Sequence, residues 1–417
     1  MILSAKSKEV CLYEQEIKDT LQRLDESTPP FLETGYFIRT VHDYFSFQKM
    51  RDKRPKVIIL GTSIPEEIIY ASGAIPYWIL GGSLGTTAWA DEMVPRATDA
   101  VSRSIFGFLV NEIYELDKDA LIIIPTVNDS SKKLAHLLKR AGKKVHTVDI
   151  PPIKDSFAAE KWKRQIERCV EDLSAHTHKR ITHRALHNAT KTVALAKNQM
   201  RRFIGQAHFR YELLPGAFRM FILNSYYYAA DIEEWTANLA HLIDEINNAE
   251  TAVSDRGNVL LFGSPVYFPN YKIPFLIQDV GLNISMNVDY TTQKILYTEE
   301  HKESDFFNFT NLGHNFFQKD GSSAYTKNDA LYNSVCGLMK ELPVDGVVYH
   351  VLKGQIEYDF ELNRFEELFT RYNIPVFRLE TDYKYQDVEQ LRIRMEAFTE
   401  MLHHRRRYQK QPKAQQE

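Results

Sequence analysis

Two stretches of this chain share one grammar, and that repetition limits its fold more than any other feature. Residues 56–63, KVIILGTS, form a continuous apolar run that closes on Gly61, Thr62 and Ser63. Residues 258–265, NVLLFGSP, repeat the run and the Gly-Ser turn, and a helical pattern follows each. An unbroken apolar run marks a strand covered on both faces, as in a parallel sheet. After the first run, Pro65 opens a helix with Glu66 and Glu67 in its first turn, and Gly73 closes it. Further strands are expected at 74–80, 119–126 and 144–151, then at 282–289, 345–353 and 374–383. Strand and helix alternate throughout both stretches. The expected class is α/β, with two doubly wound parallel-sheet domains.

Helical periodicity fills about 13–50, broken at Pro29-Pro30, and runs almost without interruption over about 158–248. The chain therefore divides into five parts: an N-terminal helical arm (1–55), a first α/β domain (56–157), a helical connecting segment (158–256), a second α/β domain (257–402) and a disordered basic tail (403–417). A length of 417 residues suits two or three domains. The net charge of −3 leaves no broad basic face for nucleic acid. No apolar run is long enough to span a bilayer, and the opening MILSAKSKEV lacks a signal-peptide core. The three cysteines, Cys11, Cys169 and Cys336, are isolated from one another, which fits a reducing compartment and inert thiols. A cytoplasmic protein without a membrane partner is expected.

Ligands of doubly wound sheets bind beyond the carboxyl ends of the strands. That rule puts Thr62, Ser63, Asn128 and Asp129 at a rim, and two facing rims would make a cleft between the halves. Glu67, Asp99 and Asp129 are the carboxylates expected near one rim, as candidates for acid–base chemistry. Glu67 also has a structural explanation, because the helix dipole favours an acid in a first turn. The glycine turn from Gly81 to Gly85 and the Gly263-Ser264 turn could bring backbone N–H groups to a phosphate. His176, His178, His183 and His187 read as a wet helix face, since Lys179, Arg180 and Arg184 would repel a cation. No Ser-His-Asp arrangement, P-loop or nicotinamide fingerprint is visible.

Several segments, in order, resemble the 2-hydroxyacyl-CoA dehydratase and benzoyl-CoA reductase subunit family. IPEEIIYASGAIPYWILGG carries Pro65, Glu67, Ala71, Gly73, Ala74 and Pro76 in the spacing of that family's signature. SRSIFGF supplies Arg103, Ser104 and Gly107, and IIIPTVNDSSKKL and LLFGSPVYFPNYKIPFLIQDVGLNI follow. DGVVYHVLKG, IPVFRLETDY and EQLRIRMEAFTEML close the pattern, so that the resemblance covers about 56–402. It implies a subunit that pairs with a homologue, an acyl-CoA ligand, and a 4Fe-4S cluster held by cysteines.

The expected cysteines are missing. Asp99, Asn128, Tyr290 and Gln355 stand where the resemblance implies thiols. Iron–sulfur centres need soft thiolates. The chain is therefore expected to bind no cofactor and no metal of its own, with a 4Fe-4S cluster only in a partner subunit. The polar replacements are expected to hydrogen-bond across the vacated cavity. Candidate substrate-binding residues are Thr62, Ser63, Arg103, Ser104, Asn128, Gly263, Ser264 and Gln355. Three functions stand open. One is a cluster-free dehydratase-like subunit that contributes an acyl-CoA cleft beside a homologue or a second copy. The others are a non-catalytic CoA-ester binding or scaffold protein, and a cofactor-free acid–base enzyme.

Overall fold

The computed structural model describes residues 2–47, 52–91, 93–110, 119–207, 210, 212–250, 256–296 and 309–410. The chain opens with α1 (Ile2–Glu26) and α2 (Gly35–Phe45). A first unit follows: β1 (Lys56–Ile59), α3 (Glu67–Ala71), β2 (Ile75–Trp78), α4 (Leu84–Ala90), α5 (Ala100–Val110), β3 (Leu121–Thr126), α6 (Asp129–Arg140) and β4 (Val145–Asp149). Then come α7 (Ser156–Thr177), α8 (His183–Ala207), α9 (Gly216–Ser225) and α10 (Ile232–Asn248). The second unit comprises β5 (Gly257–Gly263), α11 (Lys272–Asp279), β6 (Leu282–Val288), α12 (Tyr290–Leu296), α13 (Phe309–Lys319), α14 (Asp329–Glu341), β7 (Gly346–Leu352), α15 (Glu357–Arg371), β8 (Val376–Thr381) and α16 (Val388–Lys410).

The strands form two parallel sheets of identical topology, β2-β1-β3-β4 and β6-β5-β7-β8. The two-residue period of a strand explains why both sheets read as continuous apolar runs. Val57 and Ile59 enter one core with α3, α7 and α8, whereas Ile58 and Leu60 enter another. In the second sheet Leu260 and Phe262 pack against α14 and α15, while Val259 and Leu261 face the opposite way. The faces of Ile58, Leu60, Val259 and Leu261 share a single large core with residues of α1, α2, α9, α10 and α16. Two doubly wound lobes are thus joined by a common apolar layer.

Helix α1 works as a strap across both lobes. Its Thr20 hydroxyl donates to Pro269 O at 3.0 Å, and Arg23 pairs with Asp279 and lies 4.0 Å from the Phe275 ring centroid. The chain also crosses back. Phe316 and Phe317 stack on Trp162 of α7, and Trp162 Nε1 donates to Gly313 O at 2.8 Å. Residues 309–325 therefore serve the first lobe, although sequence reading places them in the second domain. The basic run His403 to Arg407 is helical within α16, not the start of a disordered tail, because Leu402 just before it is anchored in the common core. Residues 411–417 of that expected tail lie outside the described residues.

Candidate functional site

The carboxyl ends of β1 and β3 meet those of β5 and β7 in one cleft between the lobes. Gly61, Asn128, Pro265, Gln355 and Glu357 line it, together with Asp99 from the N-terminus of α5. Strands β1 and β3, like β5 and β7, flank the point where strand order reverses, which is where open α/β sheets bind ligands. The two lobes touch closely there. A Cβ on Gly354, whose φ is +91°, would lie 3.0 Å from the Asp99 backbone nitrogen, so only glycine lets the β7–α15 turn approach α5. The cleft encloses about 50 Å³, room for an ion or a few waters.

Asp99, Asn128 and Gln355, which are far apart in sequence, all line this cleft. Asp99 caps α5: its Oδ1 accepts from Ser102 N at 2.9 Å, and Arg103 N donates to its carbonyl. Asn128 caps α6 in a reciprocal box with Ser131 and donates from Nδ2 to Glu357 Oε1 at 3.1 Å, linking the lobes. Tyr290 opens α12, and its side chain lies outside the described residues.

The other candidates are not brought together. Glu67 is buried in the first lobe, where it and Glu66 face Lys197 at 3.5 and 3.1 Å, away from the cleft wall. Asp129 is exposed and pairs only weakly with Lys132 at 3.5 Å, because the first residue of α6 points outward once Asn128 has capped it. Asp129 thus stands where its charge reaches Glu357, but neither it nor Glu67 lines the cleft wall beside Asp99. Arg103 pairs with Asp91, and Ser104 Oγ accepts from Ser83 N and bonds Thr86 Oγ1 at 2.7 Å, so both residues fasten α5 to α4 and its N-terminus. Ser63 donates to Asp320 Oδ1 at 3.3 Å, and Ser264 Oγ accepts from Leu352 N at 3.0 Å. Gly85 lies within α4 rather than in a turn. The N–H groups of Leu84 and Gly85 already hold the Glu16 carboxylate of α1, at 3.0 and 3.1 Å, so an internal acid fills the expected phosphate position. His176 Nε2 approaches Lys56 O at 2.9 Å, and His178 is the left-handed cap of α7.

Sequence reading missed the acids of α15. Glu357 and Glu361 lie one turn apart on α15. Burial raises the Glu357 carboxyl above its usual range against the hydrogen bond from Asn128, and the charges of Asp99 and Asp129 raise it further. Glu361 is pushed up to about 7, mainly by burial and secondarily by the Glu357 charge, although Asn328 Nδ2 donates to it at 2.7 Å. Their signal was present in the four-residue spacing directly after Gln355. It resembled the acidic first turn of any helix.

The cleft offers a carboxylate, an amide and a second carboxylate, all hard donors that do not fit an iron–sulfur cluster. Of the described thiols, Cys169 is buried within α7, with its pKa raised by burial, and Cys336 packs among apolar residues of α14. The Cys11 side chain lies outside the described residues. No helix among the described residues is long and apolar enough to cross a membrane.

Comparison with known proteins agrees with this architecture. Residues 62–402 match the family described as 2-hydroxyglutaryl-CoA dehydratase, D-component. The chain is 25% identical to YjiM, a candidate dehydratase subunit of Escherichia coli (strain K12), over 82% of this chain and 90% of that protein. It is 20% identical to the (R)-phenyllactyl-CoA dehydratase beta subunit of Clostridium sporogenes, over 81% and 89% of the two chains. It is 21% identical to the beta subunit of (R)-2-hydroxyglutaryl-CoA dehydratase of Acidaminococcus fermentans, over 81% and 90%.

Proposed function

Because the chain belongs to the 2-hydroxyglutaryl-CoA dehydratase D-component family, we propose that it is a dehydratase-type subunit without a 4Fe-4S cluster of its own. It supplies part of an acyl-CoA cleft in a complex with a cluster-bearing homologue or a second copy. What carries this reading is the convergence of Asp99, Asn128 and Gln355 on one inter-lobe cleft. Those are the positions where the family resemblance implies thiolates. The relatives named as beta subunits support a partner.

The cleft sets limits on how such a ligand enters. Its volume is too small for an acyl group unless the lobes part. Among the described residues that line it none is Lys, Arg or His, so CoA phosphates would remain outside. The thioester end would meet the amide of Gln355 and the carboxylates of Asp99 and Glu357. An anaerobic iron and sulfide assay tests the reading. The isolated chain is expected to be colourless, with iron, sulfide and dehydration activity present only when a cluster-bearing homologue is bound. Stoichiometric iron and sulfide in the isolated chain would refute it.

A second reading, cofactor-free acid–base chemistry, is favoured by one observation: Glu357 on the cleft wall has a raised pKa. Turnover of an acyl-CoA by the isolated chain, abolished in Glu357→Gln, would select that reading over the first.

A further inference from the structure

Two buried oxygens in the cleft lack partners among the described residues. Asp99 is 1% exposed and Gln355 is 6% exposed, and both line the cleft. The Asp99 Oδ1 atom is turned to the α5 backbone, where it accepts from Ser102 N. Its Oδ2 and the Gln355 Oε1 find no hydrogen-bond donor among the described residues. Buried polar atoms without partners are rare and costly, and a buried carboxylate oxygen more so. The expected remedy, hydrogen bonding between the replacement residues across the cavity, is not what these two atoms show.

The rest of the wall sharpens the requirement. Glu357 adds a second carboxylate, and the described lining contains no cationic side chain. The wall thus gathers negative charge and hard oxygens with no cation in the described lining to balance them. We propose that the cleft holds one hard divalent cation, of the Mg²⁺ or Ca²⁺ type, on Asp99 Oδ2, Gln355 Oε1 and the Glu357 carboxylate, completed by water. Carboxylate and amide oxygens are the preferred ligands of such ions, which keep several waters. The volume suits an ion with a few waters. The site stands on the orphaned oxygens alone and does not depend on the acyl-CoA reading.

Titration calorimetry of the EDTA-stripped full chain with Mg²⁺ and Ca²⁺, and Mn²⁺ uptake followed by electron paramagnetic resonance, test the site. One saturable site per chain is expected. Asp99→Asn keeps the helix cap, since Asn caps as well as Asp, yet removes the ligand charge. This variant and Gln355→Ala should each weaken binding about tenfold or more, equivalent to about 1.4 kcal/mol, with unchanged melting of the stripped protein confirming the fold. The group of exposed Glu33 and His241 with half-buried Glu245 is the one three-residue His/Cys/Asp/Glu cluster among the described residues with metal-like spacing. His241→Ala should leave binding unchanged. Three results would overturn the proposal. One is no saturable uptake up to about 10 mM, beyond the weakest calcium modules at about 1 mM; the Gln355 amide would then satisfy Asp99 by turning its nitrogen to it. The others are binding that survives both cleft variants, and binding lost in His241→Ala.

Discussion

The two lobes are built to one plan and finished differently. In each, a glycine with φ of +113° stands at the turn out of the first strand, Gly61 two residues after β1 and Gly263 at the end of β5, followed by a hydroxyl residue. In the second lobe that residue closes the sheet. Ser264 N donates to His350 O at 2.8 Å, and Ser264 Oγ accepts from Leu352 N. In the first lobe Thr62 is fully buried, but its hydroxyl has no partner among the described residues. The lysines differ in the same sense. Buried Lys272 is saturated by Thr381, Asp387 and two backbone carbonyls, whereas the largely buried Lys197 faces two carboxylates that each keep one oxygen without a partner among the described residues. The lesson is that strand order and glycine placement can be duplicated while the polar groups at the strand ends are not. The second lobe's turn is locked, and the first lobe's is left open beside the cleft.

The contrast can be broken most forcefully at the glycines. Both Ala variants carry the strain of a left-handed backbone, about 1–3 kcal/mol. A Cβ on Gly263 would also lie 2.3 Å from His350 O, whereas one on Gly61 meets nothing nearer than Pro125 at 4.0 Å. Urea unfolding should therefore show Gly263→Ala destabilised by about 4 kcal/mol or more, and Gly61→Ala by far less. Equal losses would mean that the turns are equivalent after all.

The hydroxyls give the next largest difference. Ser264→Ala leaves the buried Leu352 N–H without its acceptor and should cost about 1–3 kcal/mol. Thr62→Val replaces an unpartnered hydroxyl by an isosteric methyl and should be neutral or stabilising. A loss in Thr62→Val like that in Ser264→Ala would show that Thr62 has a partner in solution.

The smallest effect is a pH slope that belongs to the second lobe. Burial lowers His350 to about 4, so between about pH 4 and 6.5 the unfolded chain binds the extra proton and stability rises with pH. Glu361 is raised to about 7, so from its ordinary value of 4.5 to about 7 the folded chain holds the extra proton and stability falls as pH rises. Glu361→Gln removes the falling contribution. Its stability should climb more steeply with pH than that of wild type between about pH 4.5 and 6.5. An unchanged slope would place the Glu361 carboxyl in a solvated setting.

Much of the framework was legible. Seven of the eight strands lie within the expected apolar runs and β5 starts one residue before its run, because strands buried on both faces write their position as continuous hydrophobicity. The cleft between facing rims followed from the carboxyl-end rule, and Asp99, Asn128 and Gln355 were singled out by the thiols that the family resemblance implies. The helix α4 was missed, since LGTTAWA looks like the tail of a glycine turn. The capture of that helix's N-terminus by Glu16 was missed as well, for a contact 68 residues away leaves no local trace.

By itself the sequence determined the repeated strand–turn–helix units, the parallel class of both sheets and the oxygen-bearing side chains Asn128 and Gln355 after the strands, because residue type and periodicity record local burial and chemistry. Only the tertiary structure decided which polar groups meet. It kept Glu67 and Asp129 out of the cleft wall that Asp99 lines, returned residues 309–325 to the first lobe, and set Glu357 opposite Asn128. Such pairings depend on how two lobes dock through a shared apolar layer, and the sequence period of a single element carries no information about the face its neighbour presents.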